Sequence, residues 1–176
     1  KKGYGDTVTY TTGDATTIPN GFALNSTFGT SSYEGTWKSY SMGKSFTQPA
    51  AATYVQYTYN PINYTITYNL DGGKNASGNP STYNVLYGVT FANPTKTGYT
   101  FAGWYIDNVK VTGINVGANA TFTSSSDLYT KLSSRTTGNK TVTAKWTPNT
   151  YTVKYNGNGN TGGSTADSSH TYDTAK

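Results

Sequence analysis

Residues 60–72 read NPINYTITYNLDG, and this stretch decides how the chain folds. Apolar and polar side chains alternate along it, which is the pattern of a β-strand with one buried face and one solvated face. The apolar face comprises Tyr64, Ile66, Tyr68 and Leu70, and the polar face comprises Thr65, Thr67 and Asn69. The sequence therefore predicts a half-buried strand that follows Pro61 and ends in a Gly-rich turn.

A second copy of this pattern occurs further along the chain. Residues 147–159 read TPNTYTVKYNGNG, so Tyr151 follows Tyr64 by 87 residues. The same offset carries alternate apolar residues of a preceding strand onto each other, namely Val55, Tyr57 and Tyr59 onto Val142, Ala144 and Trp146. An internal repeat of this length predicts tandem small modules.

The repeat divides the chain into three predicted parts. Residues 62–148 form one complete module, and residues 149–176 form the truncated start of a further repeat. Residues 1–61 are interpreted as a divergent repeat end or a separate small β domain. Within them, Lys2-Gly3-Tyr4 is similar to Thr97-Gly98-Tyr99, whereas residues 11–51 have no recognisable counterpart.

Inside the complete module, turn residues separate further strands. Residues 81–91, STYNVLYGVTF, predict a second strand with a bulge at Gly88, and residues 99–106 and 109–111 predict a hairpin that turns at Asp107-Asn108. Residues 126–132, SDLYTKL, predict one short helix capped by Ser126. The last strand, which ends at Trp146, is predicted to be central.

The composition agrees with a mostly β protein. Only 12% of the residues are charged and 34% are hydrophobic, but the chain contains 17 tyrosines, whose rings suit half-exposed sheet faces. The net charge of +5 is scattered along the chain, and no cluster of lysines predicts a nucleic-acid interface. No apolar run is long enough to predict a membrane span in this segment.

Three motifs carry a family resemblance: YTITYNLDGG at residues 64–73, NPTKTGYTFAGWY at 93–105 and TVTAKW at 141–146. Their order resembles the internalin-type B-repeat, the Listeria-Bacteroides repeat family. The resemblance implies a β-grasp-like module, with a mixed sheet and one short helix, repeated in tandem on secreted or wall-attached proteins. Residues 109–140 are longer than the usual segment before the last strand. The family offers no catalytic residues to carry over.

Candidate chemistry is sparse in this sequence. His170 is the single histidine, and its neighbours Asp167 and Ser168 are close only along the chain, which is no evidence for a catalytic triad. Oxygen-rich turns at residues 69–75 and 156–163 are better explained as turns than as calcium sites, because they hold few carboxylates. The chain has no cysteine. We therefore expect neither an enzyme nor a bound cofactor or metal.

Aromatic side chains are the best candidates for binding. Trp37, Tyr40 and Tyr105 are predicted to be available to stack on a ligand such as a sugar ring. Trp104 and Trp146 are expected in the core instead, because a small module has few other residues large enough to fill it.

Two functions remain open at this point. The first is a structural and adhesive repeat of an extracellular bacterial protein at the cell surface or wall, acting as spacer and interaction module. Its partners would be host or cell-wall glycans, surface proteins, and neighbouring repeats of the same chain. The alternative is a carbohydrate-binding module of a secreted glycan-acting protein, an interpretation motivated by the Trp and Tyr content.

Overall fold

A computed structural model describes residues 7–9, 18–32, 38–41, 45–47, 53–117 and 130–175. They group into two compact units. The first unit contains the described residues up to Asn63, together with Asn84–Tyr87 and the described part of Gly117–Thr137. The second unit contains Tyr64–Tyr83, Gly88–Val116 and the chain from Gly138 onward.

The first unit contains five strands among the residues that the structure describes. They are β1 (Thr7–Thr9), β2 (Phe22–Ser32), β3 (Lys38–Ser41), β4 (Ser45–Thr47) and β5 (Thr53–Pro61). Strands β1 and β4 form an antiparallel pair, and a separate antiparallel sheet has the order β3-β2-β5. Gly21 packs so closely on the fully buried Val85 that a side chain there would overlap it.

The second unit contains nine strands among its described residues. They are β6 (Tyr64–Asn69), β7 (Thr82–Tyr83), β8 (Val89–Thr90), β9 (Tyr99–Ile106), β10 (Val109–Val111), β11 (Gly113–Ile114), β12 (Lys140–Pro148), β13 (Thr150–Val153) and β14 (Ser168–Thr171). Five of them form one sheet in the order β10-β9-β12-β6-β7. The pairs β8–β11 and β13–β14 each form a two-stranded sheet.

Strand β12 lies in the middle of the five-stranded sheet, as the sequence predicts. It runs parallel to β6 and antiparallel to β9, so the sheet is mixed. The mostly β prediction is therefore confirmed. The helical residues 130–133 belong to the first unit, and the β-grasp assignment of the central module stays a prediction.

The core of the second unit lies on one face of this sheet. The alternation of β6 is confirmed, because Ile66 is buried while Thr65 and Thr67 are exposed. The buried cluster consists of Ile66, Tyr83, Trp104, Ile114, Val142 and Ala144. Trp104 is surrounded by three aromatic rings, those of Tyr68, Phe91 and Phe101. Aromatic side chains therefore fill much of this core.

The β9–β10 hairpin turns where the sequence predicts. Ile106 pairs with Val109, and the two intervening residues, Asp107 and Asn108, have φ angles of 48° and 63°. Positive φ at both central positions is the geometry that matches the twist of a two-residue hairpin. The role of Asp107 is therefore to form this turn.

The prediction of one continuous strand over residues 81–91 is wrong. The structure has two short strands, β7 and β8, interrupted after Tyr83. The side-chain oxygen Oδ1 of Asn84 accepts the backbone N–H groups of Leu86 and Tyr87, at 2.9 and 3.1 Å. An Asx turn thus captures amides that a continuous ladder would need, and the strand ends.

The predicted short helix is only partly visible. Residues 130–133 are helical, whereas the predicted cap Ser126 and its neighbours lie outside the described residues. Leu132 is fully buried, and its carbonyl accepts a hydrogen bond from Asn20 Nδ2 at 3.2 Å. The helical segment is thus tied into the first unit.

The β13–β14 hairpin has the same register as the β6–β7 hairpin. Tyr64 pairs with Tyr83 in the first, and Tyr151 pairs with His170 in the second. Both members of the pair are displaced by 87 residues. The hairpin contacts the rest of the second unit through Tyr172, whose ring centroid lies 5.4 Å from that of Tyr99.

The first unit repeats a backbone pattern of the second. Ile62 N–H donates to Gly21 O at 2.8 Å, and Asn149 N–H, 87 residues later, donates to Gly98 O at 2.9 Å. Gly21 and Gly98 have φ angles of 77° and 78°, which favour glycine. The sheet order β3-β2-β5 likewise matches β10-β9-β12. Strands β2, β3 and β5 therefore correspond to β9, β10 and β12.

This correspondence supplies a counterpart for part of residues 11–51, where the sequence shows none. It aligns Asn20-Gly21-Phe22 with Thr97-Gly98-Tyr99, and Lys2-Gly3-Tyr4, the match expected from sequence, lies outside the described residues. The boundaries at residues 61 and 148 stay predictions.

Tyr83, which is buried, and Tyr68, which is partly buried, make the second unit sensitive to alkaline pH. The hydroxyls of Tyr68 and Tyr83 donate to the carbonyls of Pro80 and Gly138, and burial raises the pKa of each to about 12. Since the folded state holds these protons more tightly, their stabilising contribution is complete below about pH 10 and is lost as the pH rises to about 12.

We expect the melting temperature to fall over this pH range, as followed by near-ultraviolet circular dichroism. Tyr83→Phe should flatten the fall, because one of the two titrating groups is removed. Tyr87→Phe is the matched control, because Tyr87 is 62% exposed. Equal slopes for the two variants would contradict the assignment.

Candidate interaction face

The face of the five-stranded sheet opposite the core is polar, and we call it the outer face. Because side chains alternate along a strand, every second residue of β6, β9, β10 and β12 lies on it. Its members are Thr65, Thr67, Asn69, Gly103, Tyr105, Lys110, Thr141, Thr143 and Lys145, as fixed by the strand pairings. Hydroxyl groups therefore surround one aromatic ring.

Tyr105 is the aromatic residue of the outer face. It is half-buried and pairs with Lys110 on β10 and with Thr143 on β12. The ammonium of Lys145 lies 4.1 Å from the centroid of the Tyr105 ring. At that distance the cation is attracted by the electrons of the ring face.

The absence of a side chain at Gly103 lets a second lysine, Lys110, approach β9. A side chain at Gly103 would meet Cε and Cδ of Lys110, so the missing side chain gives Lys110 room to lie over β9. Neither Lys110 nor Lys145 forms a salt bridge with a described residue, and the ion pair in the described chain joins Lys96 to Asp71 at 3.5 Å. The outer face is consequently positive.

The two tryptophans of the second unit use their indole N–H groups inside the protein. Trp104 is 2% exposed, and its Nε1 donates to Ala92 O at 3.1 Å. Trp146 is partly buried, and its Nε1 donates to Leu70 O at 2.9 Å. Trp104 belongs to the buried cluster, and Trp146 packs against that cluster.

Of the three predicted binding aromatics, Tyr105 is the one whose side chain is described. Trp37 lies outside the described residues. Tyr40 lies in β3, where it pairs with Phe28, but its side chain is outside the description. The structure therefore places Tyr105 on the outer face, and the binding role of all three residues stays a prediction.

The described hydrogen-bonding groups around His170 are hydroxyls. Ser168 Oγ lies 2.7 Å from His170 Nε2 and 3.1 Å from the hydroxyl of Tyr155. All three residues lie on or next to the β13–β14 hairpin, and no carboxylate joins them among the described contacts. The charged partner that orients the histidine of a triad is missing from this group.

The oxygen-rich turns use their side chains internally. Asn69 Oδ1 accepts the N–H of Asp71 at 3.3 Å, and Asn156 Oδ1 accepts the N–H of Asn158 at 2.9 Å. Asn160 Nδ2 donates to the carbonyl of Gly162 at 2.6 Å. These groups stabilise turns, as the sequence predicts.

Two hydrogen bonds that sequence reasoning missed hold the two ends of the β13–β14 hairpin against β9. Tyr99 OH donates to Asp173 Oδ2 at 3.1 Å, and Asn149 Oδ1 accepts from Thr100 Oγ1 at 2.7 Å. Tyr151, Val153 and Tyr155, the alternating apolar residues of this segment, remain 50%, 42% and 52% exposed. Tyr172 and Asp173 make the contact with Tyr99 instead.

These features define a class of protein: a small, tyrosine-rich β module with an aromatic core and a polar, basic outer face. Residues 64–131, which begin at β6, match the family model of the Listeria-Bacteroides repeat domain. The match confirms the family resemblance over this stretch, and the family is one of bacterial surface-protein repeats. No curated protein and no solved structure matches the chain.

The helices of the described residues can be compared with what a membrane span requires. None of their helices combines the length and the apolar character that crossing a bilayer requires.

Proposed function

We propose that this chain is a tandem-repeat segment of an extracellular bacterial surface or wall protein, where it acts as spacer and interaction module without catalytic activity. The observation that carries the proposal is the equal register of β6–β7 and β13–β14, because Thr65 pairs with Thr82 and Thr152 pairs with Ser169. Modules that recur at a fixed offset build elongated arrays in which each contacts its neighbours.

The outer face supports the interaction role. It combines the Tyr105 ring with Lys110, Lys145 and a field of threonine hydroxyls. Such a set fits glycans and wall polymers, since the ring packs on a sugar, hydroxyls exchange hydrogen bonds, and the lysines attract anionic groups. Its openness fits an extended polymer better than a small molecule.

A carbohydrate-binding module is the alternative. The half-buried ring of Tyr105, fixed by Lys145, is the observation that favours it. The alternative requires saturable binding of one defined oligosaccharide, whereas the adhesive repeat requires broader binding that weakens with salt.

The test is binding of the purified chain to isolated cell walls and to a glycan array. We expect Tyr105→Ala to weaken binding severalfold, because stacking on an aromatic ring is lost. Lys145→Gln should also weaken binding and reduce its salt dependence. Tyr87→Ala removes an exposed tyrosine that is not a member of the outer face and serves as the matched control.

The outcomes separate the two functions. Saturable binding to one oligosaccharide, abolished by Trp37→Ala in a folded chain, would support the carbohydrate-binding module. Binding that is equal for Tyr105→Ala, Lys145→Gln and wild type would exclude the outer face as the interaction surface.

A further inference from the structure

The chain enters the five-stranded sheet through β6 and leaves it through β12. Strand β5 precedes β6 and β13 follows β12, so the chain continues on both sides of the sheet. Strands β6 and β12 are direct neighbours and run parallel. Tension along the chain therefore pulls β6 toward its first residue and β12 toward its last residue, which are opposite directions along one ladder.

We propose that the β6–β12 pair is a mechanical clamp that keeps this sheet folded while the chain is under tension. Two parallel strands pulled in opposite directions must slide past each other, so the hydrogen bonds between them share the force. Strands that are pulled apart sideways lose their bonds one after another instead. The proposal rests on the spacer role proposed above and adds that the spacer bears tension, but it needs no ligand of the outer face.

The backbone groups of β6 alternate between its two neighbours. Ile66 N–H donates to Ser81 O at 2.8 Å, on the side of β7. Because successive residues of a strand turn their backbone groups to opposite edges, the N–H groups of Thr65 and Thr67 point toward β12. The ladder between β6 and β12 pairs Ile66 to Asn69 with four residues of β12. Backbone hydrogen bonds thus cross the boundary along which the two strands would slide.

Side chains extend the clamp beyond both ends of this ladder. Before its first pair, Thr65 N–H donates to Asn139 Oδ1 at 2.9 Å. After its last pair, Trp146 Nε1 donates to Leu70 O at 2.9 Å, and the Trp146 ring packs directly on Gly73. Each contact joins the chain around β6 to the chain around β12. Sliding of the strands must therefore break these contacts together with the backbone bonds.

Strand β12 is also held along its other edge. Residues Thr143 to Pro148 form an antiparallel ladder with β9. Between its two neighbours β12 carries Val142 and Ala144, which are 0% and 2% exposed. Strand β12 can therefore leave the sheet only by breaking ladders on both edges and exposing apolar core residues to water.

Single-molecule pulling in two directions tests the clamp on the intact chain. The chain has no cysteine, so pairs of exposed threonines replaced by cysteine can carry maleimide-linked handles. Thr65→Cys with Thr147→Cys pulls β6 and β12 in opposite directions along the ladder. Thr67→Cys with Thr141→Cys is the matched control, because these two exposed residues lie opposite each other and tension acts across the ladder.

We expect a severalfold higher rupture force for the first pair of handles than for the second. The contacts of the clamp break together in the first direction and successively in the second. Rupture with the first pair should release about 80 residues, or roughly 270 to 300 Å of extended chain. Equal melting temperatures of the two double variants are the control for folding, and equal rupture forces in the two directions would overturn the proposal.

Asn139 tests one contact of the clamp separately. Asn139→Ala removes the acceptor of Thr65 N–H and should lower the rupture force in the first direction. Asn139→Asp keeps a side-chain oxygen at this position and should retain the force. Equal forces for the two variants would overturn the role of Asn139. None of these measurements involves wall binding through Tyr105, so failure of the clamp is distinguishable from failure of the proposed function.

Discussion

Trp146→Ala is expected to lower the free energy of unfolding of the second unit by about 3 to 5 kcal/mol. Trp146 lies on the central strand, its ring centroid is 5.5 Å from that of Phe101, and it packs directly on Gly73. Removing the ring opens a cavity beside these residues. It also leaves Leu70 O without the hydrogen bond from Nε1.

Denaturant unfolding, followed by near-ultraviolet circular dichroism, measures this loss. Trp146→Phe separates its two causes, because a ring remains while the Nε1 donor is lost. We expect this variant to fall between the wild type and Trp146→Ala. A neutral Trp146→Ala would show that the ring contributes nothing to the core, and Trp146 would then become a candidate for ligand binding.

Gly113→Ala is expected to destabilise the second unit by about 1 to 3 kcal/mol, the usual effect of overpacking. An added side chain would overlap the carbonyl oxygen of Val89, because β8 and β11 approach each other closely there. The next residue, Ile114, is 3% exposed and belongs to the core. Backbone atoms cannot move aside as a flexible side chain can, so the strand pair must shift.

Gly78→Ala is the matched control for this substitution. An added side chain at Gly78 meets no heavy atom within 4 Å, so the same chemical change should leave stability nearly unchanged. Thermal unfolding of the two variants gives the comparison. Equal melting temperatures would contradict the close β8–β11 approach.

The alternation of β6 and the Asp107-Asn108 turn could be predicted because local sequence determines both. Side chains alternate across a strand, and a two-residue hairpin needs residues that accept positive φ. The end of strand β7 after Tyr83 could not be predicted, because the alternation of apolar residues continues past this point. There the Asn84 side chain competes with the ladder for backbone N–H groups.

The correspondence of Gly21 with Gly98 could not be predicted from the sequence for a different reason. The backbone requires a glycine at each position, but the residues beside them differ, since Phe22 stands where the other copy has Tyr99. The offset in this part is 77 residues instead of 87, so an alignment anchored on the Pro linkers misses it. Hydrogen bonds reveal it because they depend on backbone geometry alone.

One residue of the outer face, Tyr105, could be predicted from the sequence. Tyr105 could be named from its exposed strand position, but the approach of Lys145 depends on how β12 pairs with β9. That pairing places Lys145 opposite Gly103 next to a bulge, and long-range register of this kind is set by tertiary packing. The positive character of the outer face was likewise invisible in the scattered charge of the sequence.

Amide hydrogen exchange in β13, measured on dilute protein, tests the repeat architecture most directly. The account predicts alternation along β13, because the Tyr172 N–H bonds to Asn149 O and hydrogen-bonded pairs alternate from there. The amides of Tyr151 and Val153 exchange slowly because they bond to β14, and the amide of Thr152 exchanges fast because no described strand pairs with the other edge of β13. Uniformly fast exchange would mean that the hairpin is not formed. Slow exchange at Thr152, matching that of Thr67 in β6, would show that β13 already has a partner on both sides and would contradict the account.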